Sequence, residues 1–140
     1  MLQRSQTLWL LCASVLAFTT LKISFFSGNI IVDNVKQFQR FTAMGSIVLM
    51  ILTVGVGIAS LFLIFLYKDR KLQMKISLAV LVVSLLNIFL YYLQTKNFVT
   101  SEWAFDIPCI ISLAIPVFLI LALRGIYKDE KLVKSVDRLR

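Results

Sequence analysis

The chain of 140 residues is 59% hydrophobic and 16% charged, against about a quarter charged in soluble domains. A water-soluble domain of this size cannot hide that much apolar surface, so the composition excludes one and points to lipid as the solvent. The net charge of +8 would suit nucleic acid, but the basic residues gather at the ends of apolar runs, where anionic lipid head groups lie, so the bilayer is the expected partner and nucleic acid is not.

A helix needs about 20 apolar residues to cross the hydrocarbon. The first candidate is residues 7–26, interrupted only by Lys22. Arg4 ahead of an apolar run has the look of a signal peptide, but a cut after Ala17 leaves a short apolar core, and Leu11 before Cys12 is too large for a lipoprotein signal. The run is therefore read as a retained span. Lys22 lies about 22 Å along it at 1.5 Å per residue, where its ammonium can snorkel to the head groups.

Residues 41–67 form the second span, free of charge. It carries Gly55, Gly57 and Ala59, a small-residue spacing that lets helix backbones approach closely, within one bundle or between copies. Residues 76–95 form the third span and include Asn87. The fourth, residues 107–127, holds Pro108 in its first turn, Pro116 in its middle and Arg124 near its end. Pro116 frees the carbonyl of Ser112, and Asn87 is a candidate donor to it. The segment 128–140 places Leu132, Val136 and Leu139 on one helical face, which predicts a short amphipathic helix lying on the inner leaflet or docked to a cytoplasmic partner. The fold class expected is thus all-α, a single four-helix integral membrane bundle.

Orientation follows from charge. Arg4, the loop with Lys68, Arg70, Lys71 and Lys75, and the last segment with Arg124, Lys128, Lys131, Lys134, Arg138 and Arg140 fall on one side; Lys22, Lys36, Arg40 and Lys96 fall on the other. Positive residues favour the cytoplasm, so both termini are expected inside. Tyr-Lys-Asp-x-Lys-Leu occurs at 67–72 and again at 127–132, where each copy stops a span at the cytoplasmic face. Convergence on a stop signal and duplication of a two-helix hairpin both account for the repeat. Tyr91, Tyr92, Phe98, Trp103, Phe105 and Trp9 read as interfacial belt residues.

No catalytic, cofactor or metal site is expected. The chain has no histidine, the usual base near neutral pH. Its acids lie in loops, at span edges or in the tail, so no proton or cation relay is visible. Cys12 and Cys109 sit near opposite leaflets, about 20 Å apart by helix rise, which predicts two free, buried thiols.

The segments MLQRSQT at the start, YKDRKLQMK in the middle and KDEKLVKSVDRLR at the end resemble a Bacteroidota family of small four-span membrane proteins described as domain of unknown function 4293. The resemblance covers the whole chain. Gln3, Arg4, Gln6 and Thr7 carry it at the front, and residues 128–140 at the back. It implies an inner-membrane location and brings no established activity and no catalytic residues. All three matching segments fall on the inferred cytoplasmic side. The reading is a non-enzymatic membrane interaction or assembly component whose basic cytoplasmic face comprises Gln3, Arg4, Gln6, Lys68, Arg70, Lys71, Lys75, Lys128, Lys131, Lys134, Arg138 and Arg140, met by a cytoplasmic or membrane protein partner or by a second copy. The alternative is a small oligomeric transporter or channel with a path near Asn87 and Pro116. Short outer loops argue against an outer-face role.

Overall fold

The structure is a computed structural model that describes residues 5–32, 35–67, 69–98 and 102–137. Four helices account for most of it: α1 (Ser5–Thr19), α2 (Ile47–Phe65), α3 (Arg70–Gln94) and α4 (Cys109–Asp137). They pack in a ring, α1 against α2 and α4, and α3 against α2 and α4. Three of them, α2, α3 and residues 109–131 of α4, are long and apolar enough to cross a membrane. The first is shorter, at 15 residues.

Each helix turns a seam of alternating three- and four-residue steps inward. The seam reads Gln6, Leu10, Ala13, Ala17 and Thr20 from α1 onward; Leu49, Thr53, Val56, Ser60 and Leu63 on α2; Gln73, Ser77, Val80, Ser84, Asn87 and Tyr91 on α3; and Ser112, Ile115, Leu119, Ala122 and Ile126 on α4. That is the a/d spacing of left-handed helix packing, which keeps one face toward its neighbours over many turns. The outward faces are apolar. Leu8, Val15, Ile51, Ile58, Phe62, Leu78, Val82, Phe89, Leu113 and Val117 are all exposed. A surface more apolar than the interior suits lipid and would be untenable in water.

The expectation of an all-α chain needs correction. Helix α1 stops at Thr19 rather than running to residue 26, and the chain then builds a three-stranded antiparallel sheet, β1 (Phe26–Val32), β2 (Val35–Phe41) and β3 (Trp103–Phe105), in the order β2-β1-β3. Residues 26–32 and 35–41 are rich in β-branched and aromatic side chains interleaved with polar ones, a composition that fits a pleated, half-buried surface. The sheet caps the end of the helices opposite the termini, so the segments there do not act as short loops.

Aromatic packing seats the cap. Phe26 is fully buried, with ring centroids 5.0 Å from Phe41, 4.9 Å from Phe98 and 6.2 Å from Trp103. Phe25 stacks on Tyr91 at 4.6 Å. Tyr91 and Phe98, read from sequence as belt residues, are therefore core; Trp9 stacks on Phe118 at 5.6 Å. Tyr92 and Phe105 are exposed, as belt residues would be.

Polar bonds close the cap's far side. The Asp106 carboxylate accepts hydrogen bonds from the hydroxyls of Ser24 and Ser27, the latter at 2.7 Å. Glu102 pairs with Lys36 and accepts from Asn29 Nδ2 at 2.9 Å. The Lys36 bond, with that of Asn29 second, holds the Glu102 carboxyl below the usual range. A carboxyl lowered on folding contributes stability above its unfolded value, near 4.3, and loses it as pH falls through the lower folded value. Both partners are partly exposed, so the global effect is small. Acidification below about pH 4 is expected to lower the protection factor of the Asn29 amide, measured against its intrinsic exchange rate at each pH; its N–H bonds the Glu102 carbonyl at 3.2 Å. In Glu102→Gln that pH step should vanish.

At the opposite end, α4 runs unbroken through Asp137. The tail's predicted separate amphipathic helix is instead a continuation of α4.

Candidate functional site

Membrane-type helices seldom hide polar groups without reason. Here, among the described residues, the buried polar side chains include Gln6, Ser14, Thr20, Thr53, Ser60, Gln73, Ser77, Ser84, Asn87 and Ser112, and none is charged. Most of the α3 seam is polar. Val80, with Ala13, Val56 and Leu119, belongs to an apolar cluster between its two polar stretches.

Toward the cap, polar groups of α2, α3 and α4 and of the residue that follows α1 converge on a small cavity of about 10 Å³. Its lining includes Thr20, Thr53, Ser84, Asn87, Tyr91 and Ser112, closed by Ala17, Val56, Ile88 and Ile115. The hydroxyls donate to carbonyls of their own segments: Thr20 to Ala17, Thr53 to Leu49 and Ser84 to Leu81, each at 2.7 Å. Such back-bonding is how Ser and Thr sit inside a helix. Asn87 Nδ2 donates to Thr53 Oγ1 at 2.9 Å. So Asn87 binds α2, not the Ser112 carbonyl as the kink at Pro116 suggested. Ser112 and Asn87 nonetheless share the cavity wall, and Pro116 is buried one turn further along α4.

Toward the termini, Gln73 Nε2 donates to the Leu63 carbonyl at 2.9 Å and ties α3 to the end of α2. Gln6 is buried, and a Cβ at Gly125 would lie 3.1 Å from its Cβ, so α1 and α4 nearly touch there. Gln6 therefore does not belong to an exposed interaction face. Arg70 is half-buried and donates to the Asp129 carbonyl at 3.0 Å. This bond joins the two copies of Tyr-Lys-Asp-x-Lys-Leu, which adopt different conformations: the first turns from α2 into α3, and the second stays within α4. Lys71, Lys75, Lys128 and Lys131 are exposed around them. Gln3, Arg4, Lys68, Arg138 and Arg140 lie outside the described residues, as does the side chain of Lys134.

The small-residue stripe divides. Gly57 is buried, and a Cβ there would meet the Phe18 ring at 3.0 Å. Ala59 packs against the core. Gly55 faces outward with nothing within 4 Å of a Cβ, so it makes no contact within the chain. Gly55→Ala is expected to raise stability by about 0.5–1 kcal/mol, the helical preference for Ala over Gly, measured by reversible unfolding in detergent. Cys12 and Cys109 are both free, as expected, but half-buried rather than buried.

The family model described as Domain of unknown function (DUF4293) matches residues 2–139. The chain belongs to this family. No curated protein and no solved structure matches it. Within this DUF4293 chain, the matched span covers both ends of the α-helical body and the entire sheet cap.

Proposed function

We propose that the protein is a non-enzymatic integral membrane component: a four-helix bundle crossing the inner (cytoplasmic) membrane of a bacterium, with both termini in the cytoplasm and a basic cytoplasmic face that engages a partner protein or assembly. The observation that carries this reading is charge asymmetry between the two ends. By sequence, eleven of the fifteen Lys and Arg residues fall before α1, between α2 and α3 or from Arg124 onward, and four fall between α1 and α2 or between α3 and α4. Lipid anchoring explains the sign of that asymmetry, and Lys71, Lys75, Lys128 and Lys131 stand exposed together at the turn and the end of α4. Although α1 has only 15 residues, its packing along α2 and α4 supports a fourth crossing. The non-enzymatic reading rests on residue types. The chain lacks histidine, and no group of three or more Cys, Asp or Glu side chains is gathered among the described residues.

Replacing Lys71, Lys75, Lys128 and Lys131 together by Gln tests the reading. The full chain purified in mild detergent is expected to lose a reproducibly associated protein while keeping its helicity and its oligomeric state. Retention of the same companion would refute the basic face as the docking surface. The second reading, a small oligomeric transporter with a path near Asn87 and Pro116, draws on the polar α3 seam. It is disfavoured within a single copy by the 10 Å³ cavity and the aromatic lid of Phe26, Phe41 and Phe98. A flux abolished by Asn87→Leu would favour it.

A further inference from the structure

The cavity where the four helices meet has an unbalanced set of hydrogen-bonding groups. Asn87 is nine-tenths buried, and its Oδ1 has no partner. The orientation of its amide is fixed by its neighbour: Thr53 gives its proton to the Leu49 carbonyl and can only accept, so it must face Asn87 Nδ2. Asn87 Oδ1 is then the atom left over. Thr20 and Ser84 have likewise spent their protons on carbonyls and offer only lone pairs. Asn87 Oδ1 is thus the acceptor an occupant has to meet with a donor, while the Ser112 and Tyr91 hydroxyls on the same wall can donate or accept. The space is about 10 Å³, the scale of one water molecule. No charged side chain is buried among the described residues, which leaves nothing to offset the cost of a bare cation.

We propose that this cavity is a binding site for a single ordered water. The water donates to Asn87 Oδ1 and to a second lone pair on the facing hydroxyls. It links α3 to its neighbours at the level where Pro116 interrupts the backbone bonding of α4. A buried water with two or more polar partners is an integral part of a fold, and here it would join polar groups of α2, α3 and α4 and of the residue that follows α1.

Water-edited solid-state NMR of the full chain in lipid vesicles reads the site directly. Magnetisation from water is expected to reach the Asn87 side chain at short mixing times, well before Val80 and Leu119. If Asn87 builds up no faster than those two, the site is dry and the proposal fails. A rise in the wild-type midpoint of thermal unfolding in sodium chloride over choline chloride would assign the site to a metal ion and overturn it as well.

Discussion

Phe26→Ala is expected to detach the sheet cap while leaving the helices formed. The side chain is fully buried, and it is the ring that Phe25, Phe41, Phe98 and Trp103 all touch. Truncating a buried Phe costs about 3–5 kcal/mol through lost burial and the cavity left behind. The loss should be local, because the cap's cluster is separate from the one that runs along the helices. In a Trp9→Phe background, Trp103 reports on the cap alone. Its emission should shift to the red and become quenchable by iodide, while far-ultraviolet circular dichroism keeps the helical signal. Phe26→Leu should retain most of the stability. A change below about 1 kcal/mol for the alanine variant, small beside the normal cost of such a truncation, would mean that the aromatic cluster does not hold the cap.

A comparable effect is expected at Gly28, for a steric reason. It stands directly opposite Trp103 in the β1–β3 pair. A Cβ there would lie 2.6 Å from Trp103 Cβ and 2.8 Å from the Glu102 carbonyl oxygen. Neither is the end of a flexible side chain, so the strands must separate to admit any larger residue. Gly28→Val is expected to cost about 3 kcal/mol, at the upper end of overpacking penalties. The Asn29 N–H should then exchange about a hundredfold faster, the equivalent of that energy when opening is local. Amides on β2 that face β1 should change less. Equal acceleration across the whole sheet would instead indicate that the cap unfolds as one unit.

How much of this was legible in the sequence depends on what polarity can mark. The apolar runs gave α2, α3 and the body of α4 because length and the absence of charge suffice to define a span. The seams were harder to see. In α2 the outward Ile51 and Ile58 are as apolar as the inward Leu49 and Val56, so hydropathy does not say which face is buried. The signal was present in α3, where Gln73, Ser77, Ser84, Asn87 and Tyr91 recur at heptad spacing and mark the inward face by being polar. Asn87 bonds Thr53 rather than the Ser112 carbonyl that the kink at Pro116 points to. Thr53 lies on another helix, 34 residues away in sequence, and no local pattern connects them.

The cap was missed for a different reason. Phe25 and Phe26 extend the apolar run of α1 past Lys22 and Ser24, and a count of apolar residues absorbs them into a span. The polar residues Ser24, Ser27 and Asn29, with Gly28 among them, are the signal against a continuous span. They are what a strand next to Glu102 and Asp106 requires, since those two carboxylates take hydrogen bonds from Ser24, Ser27 and Asn29. That pairing spans more than seventy residues and becomes visible only when β3 is placed beside β1. Gln6 was misplaced by the same logic of position. Near the chain's start and beside Arg4 it looked like surface, yet it occupies the first inward position of the α1 seam.

The proposed function depends on which compartment each end of the helices faces. Substituted-cysteine labelling on intact cells measures this directly, in a chain carrying Cys12→Ser and Cys109→Ser, with Gln37→Cys on the exposed strand β2 and Lys128→Cys on α4 as the two probes. A membrane-impermeant maleimide is expected to label the β2 site in intact cells and the α4 site only after the inner membrane is breached. Labelling of Lys128→Cys in intact cells, or of both sites under the same condition, would contradict the topology.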